Sequence, residues 1–335
     1  MATPVILDCD PGIDDALALA LLLGRQDVEL VGITTVAGNV AAETTTANAL
    51  RLREFYGFEQ VPVIAGAVHP LTRPNVFADY VHGRDGLGGA PVPEATAEAD
   101  AGFGPDFIVE QLRGRPGEIT LLAVGPMTNL ALALRREPRI TQWAKQVVLM
   151  GGSWTRGNIT AAAEFNFYAD PEAAAAVFHA DWRPVLAGLD LTLQARVTEE
   201  VMDRWRGYGA LSEKLLVPAL ANYFDNRAAT GTISAPRSHI STANGPAVHD
   251  AAAAAYVVAP QLFSSMPALT RVETRGELTS GMSVVDFTAP ADPTQRVHHS
   301  SHHANSEVLT EIDVPGFWRL LEDSFAAVAR RMQQR

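Results

Sequence analysis

The sequence predicts an α/β fold in which a mostly parallel central sheet carries helices on both faces, as in a Rossmann-like open sheet. Short apolar runs alternate along the 335 residues with longer helical patterns. Continuously apolar strands separated by helices are typical of parallel sheets that are covered on both faces. The chain is 47% apolar, and neither a repeat nor a low-complexity linker divides it. We therefore expect one domain over residues 1–335 with a sizeable core.

The alternation assigns each element in turn. The predicted strands are Val5–Leu7, Leu30–Val36, Val61–Ala65, Ile119–Val124, Val147–Leu149 and Pro184–Ala187. The predicted helices are Ala16–Leu23, Ala41–Tyr56, Thr128–Arg135, Glu172–His179 and the terminal Val314–Met332. Ser212–Arg237 is expected to form a helical cap over the carboxyl ends of the strands. Phe287–His303, which is rich in Pro, Thr, Ser and His, is expected to be a long loop.

Charge and cysteine content exclude several partners. The net charge is −12 and no basic run is present, whereas binding to a phosphate backbone requires clustered Lys and Arg. We expect no nucleic-acid partner. The one cysteine, Cys9, rules out an intrachain disulfide and fits a reducing compartment such as the cytoplasm. No apolar run reaches the ~18 residues of a membrane span, and because the first predicted strand begins at Val5 we expect no signal peptide.

The most unusual stretch is Asp8-Cys9-Asp10-Pro11-Gly12-Ile13-Asp14-Asp15, which places four carboxylates between the first strand and the first helix. Two like charges ~4 Å apart repel each other by about 4 kcal/mol at an effective dielectric constant of ~20. A folded protein keeps such a cluster when a cation, a proton or a helix N-terminus relieves the repulsion. Helix capping by Asp14 and a helix-dipole role for Asp15 would explain two of the acids. They do not explain Asp8 and Asp10, which we expect to point to the same place.

The donors of this cluster indicate a hard cation. Oxygen ligands are abundant, and no His or Cys pair at zinc spacing lies nearby. Several carboxylates suit Ca²⁺ better than Mg²⁺, which retains more of its waters. Polar or glycine-rich segments, Ala37–Asn39, Gly125–Asn129 and Met150–Gly152, follow three later strands. Because ligands bind at the carboxyl ends of parallel strands, these segments are expected to converge on the cluster.

Eight blocks of the sequence resemble, in order, the motifs of the inosine–uridine-preferring nucleoside hydrolases. The first is the acidic stretch, extended to Ala16. The others are Val36–Asn39, His82–Gly88, Gly125–Asn129, Met150–Gly152, Glu164–Asn166, Asp170–Glu172 and His249–Asp250. A resemblance that covers most of the chain and keeps the order of the motifs is specific.

The resemblance implies a reaction and a metal. Enzymes of this family hydrolyse the N-glycosidic bond of ribonucleosides to free base and ribose, through a transition state that resembles an oxocarbenium ion. By similarity, Ca²⁺ would be held by Asp10, Asp15, Asp250 and the backbone carbonyl of Val124. Asp10 would also take the proton of the attacking water, which the metal acidifies and orients.

The resemblance also implies contacts to the substrate. The residues that match contacts to the ribose diol are Asp14, Asn39 and Asn166, and those that match contacts to the 5′-hydroxyl are Asn158 and Glu164, with Met150 close by. His249 would be the general acid for the departing base, and His82 would lie near the base. No tryptophan lies beside His82 or shortly after His249, which disfavours the purine-specific branch, where indoles stack on the base. The family implies a homodimer or homotetramer.

Two other functions stay open at this point. Asp8-Cys9-Asp10 at a strand end superficially suits an aspartate-based phosphohydrolase, but Gly12 stands where that class would have Thr or Val, and lysines are very scarce. The other alternative is a non-catalytic protein that binds nucleosides or ribose. Such a protein would be expected to lack the acid or the base, whereas Asp10 and His249 are both present.

Overall fold

The computed structural model describes residues 2–222, 245–291 and 303–335. Within them the strands form one nine-stranded sheet. The strands are β1 (Thr3–Cys9), β2 (Val28–Thr35), β3 (Val63–Ala65), β4 (Thr120–Ala123), β5 (Gln146–Met150), β6 (Val185–Ala187), β7 (Phe263–Val272), β8 (Ser283–Asp286) and β9 (Ser306–Ile312).

The strand order places β1 at a topological switch point. Along the sheet the order is β3-β2-β1-β4-β5-β6-β9-β7-β8. The chain builds outwards from β1 through β2 to β3 and then returns to the other side of β1 to add β4, β5 and β6, all in parallel. Open α/β sheets bind ligands beyond the carboxyl ends of their strands at such a point. The acidic stretch leaves the sheet here, between the ends of β2 and β4.

Helices cover both faces of the sheet. They are α1 (Ile13–Leu23), α2 (Ala42–Tyr56), α3 (Asp79–His82), α4 (Gly104–Gly114), α5 (Thr128–Arg136), α6 (Ile140–Trp143), α7 (Phe165–Ala169), α8 (Pro171–His179), α9 (Leu189–Thr192), α10 (Glu199–Trp205), α11 (210–222 in its described part), α12 (His249–Val258) and α13 (Val314–Gln333). α1, α2, α12 and α13 pack together, and α4, α5, α6 and α8 form a second group. Val5 and Leu7 join the core of the first group and Ile6 that of the second. Because side chains alternate along a strand, the two groups lie on opposite faces.

The predicted fold class is confirmed. Each of the predicted strands and helices overlaps an observed element, from β1 to β6 and in α1, α2, α5, α8 and α13. α1 begins at Ile13 rather than at the predicted Ala16. Its first turn contains Asp14 and Asp15, which favour a helix N-terminus electrostatically but do not follow the apolar pattern on which the prediction was based.

The antiparallel edge of the sheet was not predicted from the sequence. β9 pairs in parallel with β6, and β7 pairs antiparallel with both β9 and β8. β7 contains Ser264, Ser265 and Pro267, and most of its first half is exposed. An edge strand that is only partly buried does not produce the continuous apolar run by which the buried strands were recognised.

The predicted helical cap and the predicted long loop are described only in part. Ser212–Arg237 is helical over its described residues, in α11, which includes a π-helical turn at Ser212–Leu216. The end of α11 approaches the loop after α3, since a Cβ added at Gly88 would lie 2.9 Å from the Asn222 side-chain nitrogen. Residues 223–237, and 292–302 of the predicted loop, lie outside the described residues. In the part of the chain that is described, none of the helices has the length and apolarity that a membrane crossing requires.

We expect the buried indole of Trp205 to stabilise the contact between α10 and α13 through its ring rather than through its N–H. Its ring centroid lies 5.1 Å from that of Phe325 and 5.7 Å from that of Trp318. Among the described residues its Nε1 has no hydrogen-bond partner. Trp205→Ala should lower the free energy of unfolding by about 3–5 kcal/mol, and Trp205→Phe by about 1 kcal/mol, in urea titrations. Equal losses would contradict this account.

Candidate active site

Four buried aspartates meet at the switch point. Asp10 follows β1 directly, Asp14 and Asp15 lie in the first turn of α1, and Asp250 lies in the first turn of α12. Each of the four is at most 6% exposed. One carboxylate oxygen from each of Asp14, Asp15 and Asp250 lies within 4.8 Å of the others, a grouping that could hold a metal ion. The structure thus brings the distant Asp250 to the acidic stretch. The grouping includes Asp14, whereas the ligand set that the family resemblance implies has Asp10 instead.

Burial raises the pKa of every carboxyl in this cluster. The pKa of Asp14 and that of Asp15 rise to about 6. Burial raises the pKa values of Asp10 and Asp250 well above the usual range, and the neighbouring aspartates raise them further. Charged carboxylates are therefore disfavoured here unless a positive charge joins them.

Backbone and amide N–H groups compensate part of the negative charge. Asp10 Oδ2 accepts a hydrogen bond of 2.7 Å from the backbone N–H of Asn39. Asp15 accepts from the backbone N–H groups of Asp10 (3.2 Å) and Gly12 (2.8 Å) and from the side-chain amide of Asn39 (3.1 Å). Asp15, rather than Asp14 as the capping interpretation had it, thereby binds the N–H of Gly12, the residue that precedes α1.

Asp14 joins the N-termini of two helices. Burial raises its pKa, and hydrogen bonds from backbone N–H groups, including those of His249 and Asp250, oppose that rise. His249 and Asp250 are the first two residues of α12. The Asp14 carboxylate, in the first turn of α1, therefore also accepts hydrogen bonds from N–H groups in the first turn of α12. Helix N-termini carry partial positive charge, and two of them face the cluster.

Two glycines leave room for the Asp10 carboxylate. A Cβ at Gly38 would overlap its Oδ2, and a Cβ at Gly125 would lie 2.7 Å from its Oδ1. These glycines follow β2 and β4, the two neighbours of β1. Both positions in the predicted strand-end segments are therefore glycine for a steric reason, because any side chain there would displace the Asp10 carboxylate.

Four of the residues expected to bind the sugar, Met150, Asn158, Glu164 and Asn166, lie around the N-terminus of α7. Asn166 donates from Nδ2 to the carbonyl oxygens of Val124 (2.7 Å) and Met150 (3.1 Å). Glu164 caps α7, because Oε1 accepts from the N–H of Asn166 and Oε2 from that of Phe167. Burial raises the pKa of Glu164 to about 7.

Asn158 is tied to the same helix start as Glu164. Its Oδ1 accepts a hydrogen bond of 2.9 Å from the N–H of Phe165, the first residue of α7. A polar loop is thereby held next to the strand end that carries Val124 and Met150.

The two candidate histidines are held by different contacts. His82, in the last turn of α3, accepts a hydrogen bond of 3.1 Å at Nδ1 from the N–H of Ile13, at the start of α1. Burial lowers the pKa of His82 to about 4, so the ring is neutral near pH 7. His249 lies with Nδ1 2.7 Å from Oγ1 of Thr192, in α9.

Asp8, which was expected to point to the same place as Asp10, is hydrogen-bonded at Oδ1 to residues of β2 and α5. Its Oδ1 accepts hydrogen bonds from Oγ1 of Thr34 (2.5 Å) and Nδ2 of Asn129 (2.7 Å). Asn129 also donates to the carbonyl of Thr35 (2.9 Å) and accepts from the N–H of Ala67 (2.8 Å). These bonds tie together the carboxyl ends of β1, β2 and β3.

Sequence reasoning did not assign roles to several residues around the site. Thr192 contacts His249, Thr34 and Asn129 hold Asp8, and Asp190 binds the loop that leads to Asn158. The strand-end rule could have indicated Thr192 and Asp190, because both follow β6 closely. A threonine inside an apolar strand, such as Thr34, gives no comparable signal.

Comparison with known proteins agrees with this geometry. A family model described as "Inosine-uridine preferring nucleoside hydrolase" matches residues 5–319. The chain belongs to this family. It is therefore a ribonucleoside hydrolase by class, and the aspartate-based phosphohydrolase considered above is set aside.

Members of the nucleoside hydrolase family align with nearly the whole chain. A Leishmania major inosine–uridine preferring nucleoside hydrolase is 37% identical over 330 residues, which are 98% of this chain and 99% of that protein. The pyrimidine-specific ribonucleoside hydrolase RihA of Citrobacter koseri is 35% identical over 329 residues, 98% of this chain and 100% of that protein.

Solved nucleoside hydrolase structures share the architecture. A plant nucleoside hydrolase superposes with a TM-score of 0.87 at 29% identity, covering 97% of this chain and 99% of that one. A purine-preferring ribonucleoside hydrolase from Gardnerella vaginalis gives a TM-score of 0.87 at 29% identity, covering 98% and 99%. The similar proteins thus carry names with different base preferences.

We expect His82 to make stability depend on pH. Its pKa is about 4 in the folded chain and about 6.5 in an unfolded one. The unfolded state binds the extra proton between these values, so this contribution to stability is complete above pH ~6.5 and is lost as pH falls towards ~4. Between pH 7 and 4.5, wild type should lose about 2–3 kcal/mol more unfolding free energy than His82→Asn, measured by urea titration in EGTA. Parallel pH curves would contradict the buried, neutral state of His82.

Proposed function

We propose that this protein hydrolyses the N-glycosidic bond of ribonucleosides in a Ca²⁺-dependent reaction that releases free base and ribose. The observation that supports this most directly is the buried cluster of Asp14, Asp15 and Asp250, with Asp10 beside it, at the switch point of the sheet. A family membership that covers most of the chain gives the reaction class. The cluster gives the reason for a metal.

The donor set fits a hard divalent cation. The aspartates offer oxygen only, and Ca²⁺ binds six to eight oxygen ligands in flexible geometry. The Val124 carbonyl accepts one hydrogen bond, from Asn166, and a carbonyl oxygen has a second lone pair for a metal. We assign Asp10, Asp15, Asp250 and this carbonyl as the ligands. Zinc sites, by contrast, favour nitrogen and sulfur donors.

The reaction needs a general base that deprotonates the attacking water and a general acid that protonates the leaving nucleobase. A bound Ca²⁺ would neutralise the cluster and make water in the site more acidic. Asp10 accepts the proton of the attacking water as the water oxygen bonds to C1′. The C1′–N bond breaks, its electron pair moves to the leaving base, and His249 donates a proton to the base nitrogen. Surrounding carboxylates favour the positive charge that develops on the sugar ring.

The sugar is held by groups that the fold already orients. We assign Asp14, Asn39 and Asn166 to the ribose diol. Asn39 uses its amide nitrogen for Asp15 and for the carbonyl of Asp10, so its amide oxygen is the group assigned to a hydroxyl. Buried polar partners of this kind discriminate strongly against a substrate that lacks the matching hydroxyl.

The 5′-hydroxyl is assigned to the polar groups at the start of α7. Asn158 and Glu164 are the proposed partners, and Met150 lies beside Asn166, whose side-chain amide reaches the Met150 carbonyl. His82 is assigned to the base side of the site, where its neutral ring is positioned by Ile13.

Release of ribose is the direct test. The full-length protein is treated with EGTA, and reducing sugar is measured with uridine and inosine before and after Ca²⁺ is restored. A phosphomonoester serves as the control substrate. Ribose release that disappears in EGTA and returns with Ca²⁺ supports the proposal. Binding of nucleoside without turnover would instead support a binding protein, and activity unaffected by EGTA would overturn the metal assignment.

The proposed roles of Asp10 and Asp14 can be distinguished by replacing each aspartate with asparagine. Asp10→Asn should lower kcat by about 10²–10⁴, because the base is lost, and should weaken Ca²⁺ binding by roughly ten- to a hundredfold. Asp14→Asn retains an oxygen for the N–H groups of α12, so it should raise KM while calcium affinity, measured by calorimetry, stays within a few-fold of wild type. The reverse pattern would show that the ligands are the three aspartates grouped in the structure, Asp14, Asp15 and Asp250.

Two further properties are proposed on the family resemblance. We infer a homodimer or homotetramer, which light scattering coupled to size exclusion tests directly. The absence of tryptophan beside His82 and shortly after His249 favours pyrimidine or mixed preference over strict purine specificity. Relative turnover of uridine, cytidine, inosine and adenosine decides this point.

A further inference from the structure

Helix α9 presents a buried hydroxyl to the proposed general acid. Thr192, at the end of α9, is fully buried, and its Oγ1 lies 2.7 Å from Nδ1 of His249. The same hydroxyl lies 3.5 Å from the carbonyl oxygen of Leu189, one turn earlier in α9. His249 is the first residue of α12, so this contact links α9 to the start of the helix that also carries Asp250.

We propose that Thr192 is a positioning residue that holds the His249 imidazole so that Nε2 meets the leaving base. This inference depends on the general-acid role proposed above for His249. Of the two ring nitrogens, Nδ1 is engaged by Thr192, and Nε2 is the one we assign to proton transfer. A ring that is fixed at one nitrogen presents the other in a defined direction, which proton transfer in a transition state requires.

The directions of the hydrogen bonds are consistent with this role. Thr192 can donate its hydroxyl proton to the Leu189 carbonyl and accept the Nδ1 proton of an imidazolium ring. Nε2 then gives its proton to the base nitrogen as the C1′–N bond breaks, and the neutral ring keeps its proton on Nδ1. The contact with Thr192 is therefore maintained before and after the transfer, without rotation of the ring.

Helix α9 is itself anchored on the sugar side of the site. Asp190 Oδ2 accepts hydrogen bonds from Oγ1 of Ser153 (2.7 Å) and from the N–H of Trp154 (2.7 Å), and its Oδ1 accepts one from Thr155. These residues begin the loop that leads to Asn158. A short helix held in this way is a rigid support for a side chain whose orientation matters. The β-branched side chain of Thr192 adds stiffness at χ1.

Leaving-group dependence separates a positioning role from a structural one. Uridine requires protonation of its base, whereas 4-nitrophenyl β-D-ribofuranoside releases an anion that requires no general acid. Thr192→Val removes the hydroxyl and keeps the shape. We expect it to lower kcat on uridine about 10–100-fold, with kcat on the nitrophenyl riboside within about twofold of wild type. Thr192→Ser, which keeps the hydroxyl, should restore uridine turnover.

The controls distinguish the possible failures. His249→Ala should show the same selective loss for uridine, and if it lowers both substrates equally, the general-acid role itself is wrong. If His249→Ala is selective but Thr192→Val lowers both substrates equally or neither, Thr192 is not a positioning residue. Should the valine variant fail to fold, Thr192→Ala removes the same hydroxyl without placing a methyl group against the imidazole. The same two kcat ratios then decide.

Discussion

Repulsion among buried carboxylates is the constraint around which this structure is organised. Asp10, Asp14, Asp15 and Asp250 lie together out of water, and burial raises the pKa of each. Two helices begin at the cluster, and backbone or amide N–H groups reach three of the four residues. Those dipoles compensate only part of the charge, because the pKa values stay raised. A bound divalent cation would be the largest local charge, and it would reverse this balance.

The order of the strands places this cluster of carboxylates where the ends of neighbouring strands can complete a binding site. With β1 between β2 and β4, the acids after β1 are met from both sides by the ends of neighbouring strands. Gly38 and Gly125 admit the Asp10 carboxylate at close range. The same sheet edge positions the Val124 carbonyl and, through Asn166, the polar start of α7. The groups proposed for metal, sugar and base are thus distributed over separate strand ends of one rigid sheet.

The sequence predicted the parts of this arrangement that depend on burial and on strand ends. The buried strands were recognised because both of their faces are apolar, and Asp10, Asn39 and Met150 were located because they follow such strands. Asp250 was found only through family resemblance, since the alanine-rich pattern after it resembles any buried helix. Thr192 was not predicted for a related reason. Its hydroxyl lies in a short helix, and the role proposed for it depends on His249, which is distant in the sequence.

The meeting of α1 and α12 has a consequence for biosynthesis. Asp10, Asp14 and Asp15 are synthesised well before Asp250 and the N–H groups of α12, which follow only after β1–β6 have been made. Until then the early acids lack both the Asp250 carboxyl and part of their electrostatic compensation. The proposed cation site is therefore incomplete until the chain has been synthesised through α12, and β7–β9 and α13 are made only after that point.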